Sequence, residues 1–170
     1  MTSEVLQEKV GLGPGLWKCW RSFQPEAAPS SPGLYFLRLA NSSPIERVKG
    51  ASDIVYIGST RDIRKRLKAH ANPDWNNFRD SGWLISLIAQ HRNLEVGWKE
   101  QPLPIARHSE SSLLTDFVKK HCELPPANRQ MPDFSQEDRA TIMLLSLAPD
   151  QRKRLLREGQ PKVPPAEGTT

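Results

Sequence analysis

The sequence predicts an α/β (α+β) domain: a small central three-stranded mixed or antiparallel sheet flanked by helices. Short runs rich in branched and aromatic residues are bounded by turn signals, which indicates strands. Amphipathic segments with helical spacing follow them. The chain of 170 residues is also long enough to bury one core without disulfides. Its composition, 37% hydrophobic and 25% charged, is that of an ordinary soluble domain.

Three segments have the composition of strands. Residues 33–40 follow a Ser-Ser-Pro turn signal, and residues 53–58 follow a polar connection over 41–52 that contains Pro44 and Gly50. These two segments predict a hairpin with a long loop. Residues 94–99 predict the third strand.

Helices are predicted over 61–71, 81–91, 105–121 and 135–147, with a basic helical end at 149–158. Ser59 and Asp62 form a capping-box pattern before the first helix, in which Ile63 and Leu67 face the core. The apolar positions expected on the buried faces of the next two are Trp83, Leu84, Leu87 and Ile88, followed by Leu113, Leu114, Phe117 and Val118.

The composition of successive segments divides the chain. Residues 1–32 are rich in Gly, Pro and Ser and predict an N-terminal arm, whose aromatic cluster of Trp17, Trp20 and Phe23 packs onto the core. Residues 33–130 form the main domain. Residues 131–158 predict a helical extension, and the polar residues 159–170 predict a disordered tail.

Charge and cysteine usage narrow the class of protein. The net charge of +5 and the pI of about 9.4 favour anionic partners such as nucleic acid. Cys19 and Cys122 lie far apart and outside any CxxC pair, which favours reduced thiols over a zinc site. No run of apolar residues predicts a signal peptide or a membrane span, so we expect a cytoplasmic protein.

The two tyrosines of the chain, Tyr35 and Tyr56, both fall in predicted strands, where a tyrosine is ordinarily a packing residue. Arg66 and His70 are four apart on the following helix, and this pair suits phosphate binding and proton transfer, although a basic, solvated helix face is the simpler interpretation. Glu110 lies at the head of an apolar stripe. It is either a partner of the helix dipole or a metal ligand.

Taken in order, these residues resemble the motifs of the GIY-YIG nuclease superfamily. The resemblance consists of GLY at 33–35, YIG at 56–58, YIGSTRDIRKRLKAH at 56–70, Glu110 followed by LLTDF, and ELPPANR at 123–129, which places Asn128. It covers about residues 31–130. The segment between the tyrosines is longer than in many members, as it is in the restriction-enzyme branch, and this departure concerns the hairpin loop rather than the site.

The resemblance implies a catalytic set of Tyr35, Tyr56, Arg66, His70, Glu110 and Asn128. Glu110 is then the ligand of one Mg²⁺ or Mn²⁺ per site, and Arg66 binds the scissile phosphate. Tyr35 is favoured as the group that activates water, with His70 or Tyr56 assisting, but the choice between the tyrosines stays open. DNA is the expected partner, and its phosphates are expected to contact Arg61, Arg64 and Lys68.

Other functions remain open at this stage. A metal-dependent DNA endonuclease is the leading hypothesis, and a non-catalytic nucleic-acid-binding module on the same fold is the alternative. A structural domain with an incidental motif match is a third. Within the nuclease hypothesis, a restriction-type enzyme and a repair or mobile-element nuclease are equally compatible with the sequence. If the enzyme cuts both strands of a DNA duplex, we expect it to act as a homodimer.

Overall fold

The computed structural model describes residues 1–11, 17–40, 44–74 and 81–130, together with 147–148, 150–151 and 153–154. In these residues an antiparallel sheet has the order β1 (Lys18–Cys19), β6 (Leu94–Glu100), β2 (Gly33–Leu39) and β5 (Ile54–Thr60). The prediction of three strands is therefore wrong. The fourth strand, β1, is only two residues long and pairs with β6, and so short a segment has no run of branched residues to mark it.

The predicted connection between β2 and β5 contains a small hairpin of its own. Strands β3 (Ile45–Glu46) and β4 (Ala51–Ser52) pair antiparallel. Gly50 closes their turn with φ of 72°, a left-handed backbone that favours glycine. The long loop expected from the sequence is thus partly ordered by its own strand pairing.

Four α-helices with described bounds are α1 (Ser3–Val10), α2 (Ile63–Ala71), α3 (Ser81–His91) and α4 (Leu103–His121). Two 3-10 helices, Trp20–Ser22 and Pro25–Ala27, lie between β1 and β2. The helix predicted over 81–91 is confirmed with the same bounds. The helices predicted over 61–71 and 105–121 are also confirmed, but they start two residues later and two residues earlier, respectively. The capping-box prediction is wrong, because Asp62 is itself the N-cap and accepts a hydrogen bond from the Lys65 amide. Ser59 stays in β5 and has another partner.

The sheet has a hydrophobic core on each face. Ile63 and Leu67 of α2 and Ile85 of α3 pack on the face that carries both tyrosines. Leu114 and Phe117 of α4 pack on the opposite face, where Met1, Leu6 and Val10 of the N-terminal segment join them. The N-terminal segment, predicted as an arm, therefore contributes side chains to this core. Helices α2 and α4 lie on opposite faces of the sheet.

The buried stripe of α4 is confirmed, since Leu113, Leu114, Phe117 and Val118 are all buried. The stripe predicted for α3 is wrong in part: Leu87 is 42% exposed, and Ile85 is fully buried in its place. Gly82 of this helix packs closely against the end of α2, where an added Cβ would lie 3.0 Å from Cβ of Pro73 and 3.4 Å from Cα of His70.

The predictions for 131–158 and 159–170 concern residues that lie almost wholly outside those described. Across the described ranges, none of the helices combines the length and the apolar character needed to cross a membrane.

Candidate active site

A buried tyrosine hydroxyl lies at the centre of the site. The Tyr35 hydroxyl oxygen is 3.1 Å from the Tyr56 hydroxyl and 3.0 Å from Nε2 of His70, and it accepts a hydrogen bond from Nε of Arg66 at 3.3 Å. A tyrosine hydroxyl has one hydrogen to donate and two lone pairs. These three partners therefore use its whole hydrogen-bonding capacity.

Strand register brings the two tyrosines together. Tyr35 pairs with Gly58 across β2 and β5, and Leu37 pairs with Tyr56, so both tyrosine rings lie on the same face of the sheet. Their ring centroids are 5.4 Å apart with an interplanar angle of 27°. The His70 ring lies 5.6 Å from the Tyr35 ring and is fully buried. Tyr35 is also fully buried, whereas Tyr56 is 8% exposed.

Glu110 approaches the site from the other face of the sheet. It belongs to α4, and its Oε2 accepts a hydrogen bond from the Ser59 hydroxyl, which lies on β5 beyond the tyrosine motif. Burial raises the pKa of Glu110, and this effect is opposed by the hydrogen bonds from Ser59 and by the charges of Arg107 and Arg66. The carboxylate is thus held by the strand that carries Tyr56.

Asn128 closes the outer edge of β5, which has no neighbouring strand on that side within the described sheet. Its Oδ1 accepts from the Ile57 amide at 3.0 Å, and its Nδ2 donates to the Ile57 carbonyl at 2.7 Å. The Ala127 amide donates to the Val55 carbonyl at 3.0 Å. The loop after α4 therefore continues the sheet and satisfies the edge groups of β5.

A cleft of about 480 Å³ runs across this edge. It brings Tyr56 and Arg66 from one face of the sheet together with Glu110 from the other and Asn128 from the edge. Tyr35 and His70 lie behind it, connected to it through Tyr56 and Arg66. The remaining lining residues are Ser81, Leu114, Arg129 and Gln130.

The structure gathers the six candidate catalytic residues in or directly behind the cleft, but it does not place Arg61, Arg64 and Lys68 there. Arg61 is exposed. Arg64 donates from Nε to the Ala28 carbonyl at 2.8 Å, and Lys68 lies 3.9 Å from a carboxylate oxygen of Glu26. Arg64 and Lys68 lie on the outer side of α2, and Arg61 lies in the bend before it.

Sequence reasoning missed Ser59, which holds Glu110, and Arg129, which lines the cleft. Arg129 could have been found from the sequence, because it directly follows the predicted site residue Asn128. Ser59 had been assigned to a helix cap, and nothing local distinguishes a capping serine from one that reaches a carboxylate in another element.

Burial dominates the electrostatics of Tyr35. Desolvation raises the pKa of Tyr35 well above 10, Tyr56 adds to the rise, and Arg66 lowers the pKa by less. The positive charge of Arg66 therefore does not offset the effect of burial on the pKa of Tyr35. Burial also works against the Arg66 cation, but the two tyrosine oxygens outweigh it and raise the pKa of its guanidinium.

The donor set of the cleft fits a hard cation rather than zinc. Among the residues described, no three His, Cys, Asp or Glu side chains are grouped closely enough to hold a metal ion. Glu110 offers carboxylate oxygen beside open space, and Mg²⁺ is commonly bound by one or two carboxylates with water and substrate phosphate as the other ligands. The site therefore suits Mg²⁺ or Mn²⁺ held partly by substrate.

Comparison with known proteins finds no matching protein-family model and no matching curated protein. Among solved structures, the GIY-YIG N-terminal endonuclease domain of UvrC from Thermotoga maritima, bound to its catalytic magnesium, matches with a TM-score of 0.39 and 21% identity over 62% of this chain and 91% of that one. An asparagine-to-alanine mutant of that domain matches over the same shares with a TM-score of 0.38 and 20% identity.

In fold, this chain is similar to a GIY-YIG endonuclease domain.

Proposed function

We propose that this protein is a metal-dependent DNA endonuclease that hydrolyses phosphodiester bonds in the cleft at the edge of β5. The observation that carries the proposal is the buried Tyr35 hydroxyl, hydrogen-bonded at once to Tyr56, His70 and Arg66 behind a cleft that also contains Glu110. A module that only binds nucleic acid needs surface cations, but it does not need a buried hydrogen-bonded network of two tyrosines and a histidine behind them.

Arg66 is the group that binds the scissile phosphate. It lines the cleft, and its Nε is fixed by Tyr35, so the rest of the guanidinium is oriented before the substrate arrives. A guanidinium matches the phosphate oxygens in geometry and stays charged at all working pH values. Preorganised positive charge of this kind stabilises the extra negative charge of the transition state.

Tyr56, rather than the Tyr35 favoured from the sequence, faces the attacking water, because Tyr56 lines the cleft and Tyr35 does not. As the water oxygen bonds to phosphorus and the bond to the departing oxygen breaks, the water proton passes to the Tyr56 oxygen and the Tyr56 proton passes to Tyr35. The hydrogen of Tyr35, which is donated to Tyr56 in the structure, turns to Nε2 of His70. The raised pKa of Tyr35 suits this route, because Tyr35 accepts and donates a proton without resting as phenolate.

Glu110 is the residue that would hold the divalent cation, which when bound supplies Lewis-acid stabilisation of the charge on the departing oxygen. Ser59 orients the Glu110 carboxylate, and Asn128 holds β5 in place between Tyr56 and Glu110. Arg66, which binds the phosphate, and Glu110, which would hold the metal ion, therefore lie on opposite sides of the edge of β5. The phosphodiester bond to be broken lies between them.

The test is nicking of supercoiled plasmid in Mg²⁺ or Mn²⁺ by wild type, Glu110→Ala, Arg66→Ala and Lys18→Ala. Lys18 is an exposed cation on β1, at the opposite edge of the sheet, and serves as the matched control. We expect wild type and Lys18→Ala to nick, and the two cleft variants to be slower by about 10²-fold or more. DNA binding without nicking by wild type, over several salts and metals, favours the non-catalytic module and overturns the proposal.

The same digest separates the two classes of nuclease. Discrete fragments indicate a restriction-type enzyme, which needs base contacts in a groove. Structure-dependent cutting or a smear indicates a repair or mobile-element nuclease. Double-strand breaks whose rate rises with the square of protein concentration indicate a homodimer, in which each copy cuts one strand.

A further inference from the structure

We propose that the hairpin turn, residues 47–50 between β3 and β4, is a DNA contact separate from the cleft and enters a groove of the duplex about five base pairs from the bond that is cut. The inference rests on the proposed function, which it deepens by naming the element that contacts the flanking DNA. Residues 47–50 lie outside every motif that resembles the GIY-YIG family.

The hairpin turn is closed by hydrogen bonds of its own. The Arg47 amide donates to the Gly50 carbonyl at 2.8 Å, and Gly50 has a φ of 72°, a left-handed value that suits glycine. The Arg47 side chain donates from Nη2 to the Ile54 carbonyl at 3.1 Å, at the start of β5. Val48 and Lys49 are therefore the two residues at the end of the turn, and the backbone that carries them is fixed to the sheet.

The end of α4 holds the hairpin turn from the side. The Val48 amide donates to Oε1 of Glu123 at 3.2 Å, and the Lys49 carbonyl accepts from Nδ1 of His121 at 2.8 Å. The guanidinium of Arg47 lies 3.8 Å from the same Glu123 carboxylate. The contacts of Val48 and Lys49 use backbone atoms, so the turn keeps its position when either side chain is replaced.

The side chains at the end of the turn suit a DNA groove. Val48 is 70% exposed, the highest value among the large apolar side chains that the structure describes, and Lys49 is exposed beside it. A single exposed apolar residue is common, but this one shares a narrow two-stranded turn with a cation. The major groove of B-DNA admits a two-stranded ribbon and offers thymine methyl groups for apolar contact, and phosphates border it. The pair therefore matches DNA better than it matches an apolar protein surface.

A continuous segment joins the hairpin turn to the cleft. It begins at Glu123, which contacts Val48, and it runs along the edge of β5, where the Ala127 amide donates to the Val55 carbonyl at 3.0 Å. It reaches the cleft at Asn128, which lines it. The turn and the cleft therefore lie along the same edge of the sheet, so DNA bound in the cleft can extend past the turn.

The length of α4 gives the separation between the two contacts. Glu110 lines the cleft and His121 contacts the hairpin turn, and the helix between them is about 16 Å long at the rise of an α-helix. B-DNA rises about 3.4 Å per base pair, so this distance corresponds to about five base pairs. The turn therefore contacts DNA that flanks the cut, and we expect it to affect binding more than the chemical step.

The first experiment is equilibrium binding of a fluorescent DNA duplex, followed by anisotropy over a series of salt concentrations in EDTA, so that nothing is cut. Lys49→Ala is compared with Lys18→Ala, an exposed lysine on β1, and Val48→Ser with Leu87→Ser, a 42% exposed leucine on α3. We expect Lys49→Ala to bind about 3- to 10-fold more weakly and to lower the slope of log K against log salt by about 1. Val48→Ser should bind about 3- to 10-fold more weakly with the slope unchanged, because it removes apolar contact and no charge.

The second experiment is sequencing of the DNA ends that each protein produces from plasmid in Mg²⁺ or Mn²⁺. Wild type should show a base preference about five base pairs to one side of the cut, because apolar contact in the groove distinguishes thymine by its methyl group. Val48→Ser should lose this preference, whereas Lys49→Ala and both controls should keep it. A preference that Val48→Ser retains, or none at that distance in wild type, overturns the placement of the turn in a groove.

The binding and cleavage results together separate the inference from the proposed function. If Lys49→Ala and Val48→Ser match their controls in affinity and salt slope while wild type binds and cuts DNA, the inference fails and the proposed function stands. If wild type binds DNA with the expected dependence on both residues but never cuts it, the proposed function fails and the contact at the hairpin turn stands.

Discussion

Tyr35 lies directly opposite Gly58 in the pairing of β2 with β5, and the absence of a side chain on Gly58 lets the two tyrosine rings meet. A Cβ at Gly58 would lie 2.5 Å from Cε1 of Tyr56 and 2.8 Å from the Tyr35 hydroxyl. Any side chain at this glycine of the YIG motif would therefore clash with both tyrosines, because each of these distances is far shorter than a van der Waals contact.

Gly58→Ala is expected to lower the nicking rate by about 10- to 100-fold, because the added methyl forces the tyrosines apart and a small misplacement of catalytic groups is costly. The free energy of unfolding should fall by about 1–3 kcal/mol, the usual effect of overpacking. Initial nicking rates and thermal melting of the same preparation measure both effects.

The matched control for Gly58→Ala is Gly97→Ala. Gly97 lies on β6, where a Cβ would meet the Trp17 ring at 3.1 Å, away from the tyrosines. It should lose stability without a comparable loss of activity per folded molecule. Equal losses of activity in the two variants would show that the tyrosine contact does not matter to the reaction.

Tyr35→Phe and Tyr56→Phe are expected to differ in stability. Tyr35→Phe leaves buried His70 and partly buried Arg66 without the oxygen that joins them, so we expect a loss of about 1–3 kcal/mol in the free energy of unfolding. Tyr56→Phe removes one bond at the cleft and should cost less. Both variants should nick DNA more slowly, by about 10²- to 10⁴-fold if the proton passes through the two tyrosine hydroxyls. Urea unfolding beside single-turnover cleavage tests this, and a fully active Tyr56→Phe contradicts its role beside the water.

Most of the site was predictable because its residues are tied to regular elements. Alternation along β2 and β5 puts the tyrosines on one face, and the four-residue spacing of Arg66 and His70 puts both on the side of α2 that faces the sheet. The apolar stripe of α4 places Glu110 next to the sheet in the same way. In each case local periodicity and the direction of the core determine where the side chain points.

The remaining features depend on contacts between distant segments. Lys18 and Cys19 pair with β6 because the fold brings them beside it. A strand of two residues is too short to show the alternation that predicts strands. That α2 and α4 lie on opposite faces depends on how the connections cross the sheet. The partner of Ser59 depends on the same arrangement. The burial that raises the pKa of Tyr35 comes from the whole fold, so it cannot be predicted from the residues near Tyr35 in the sequence.

Glu110→Gln is expected to stabilise the protein in the absence of divalent cation. Because burial raises the pKa of Glu110 above the ordinary value of 4.5, the folded state binds the proton more tightly than the unfolded state. The ionised carboxylate therefore subtracts stability at pH 7, and this loss is relieved as the pH falls through the folded-state pKa. We expect a rise in Tm of about 1–3 °C at pH 7 that shrinks toward pH 4.5.

The control for this prediction is Glu8→Gln, an exposed position on α1. Melting in EDTA from pH 4.5 to pH 8 gives the comparison, and a lower Tm for Glu110→Gln at pH 7 would contradict the prediction. Activity should change in the opposite direction. The variant is expected to be nearly inactive in Mg²⁺, because the neutral amide is a poor ligand for the cation.

Ser59→Ala is expected to weaken the binding of Mn²⁺ by about 10- to 100-fold, the usual effect of losing a group that orients a metal ligand. Ser59 donates to Oε2 of Glu110, so its removal frees the carboxylate to rotate. Ser59→Thr keeps the hydroxyl and should bind Mn²⁺ nearly as wild type does. Titration followed by electron paramagnetic resonance measures the affinity. Equal affinity for Ser59→Ala and an exposed control, Ser112→Ala, would exclude this role.

Asn128→Ala is expected to lower the free energy of unfolding by about 1–3 kcal/mol, because it leaves both the amide and the carbonyl of Ile57 unpaired at the edge of β5. Asn128→Asp should not rescue it, since a carboxylate can accept from the amide but repels the carbonyl. Asn72→Ala is the control: its Nδ2 donates to the Lys68 carbonyl at an exposed helix end. The urea midpoint should fall much further for Asn128→Ala. Nicking by its folded fraction should fall as well, because Ile57 directly follows Tyr56 on the strand that Asn128 holds.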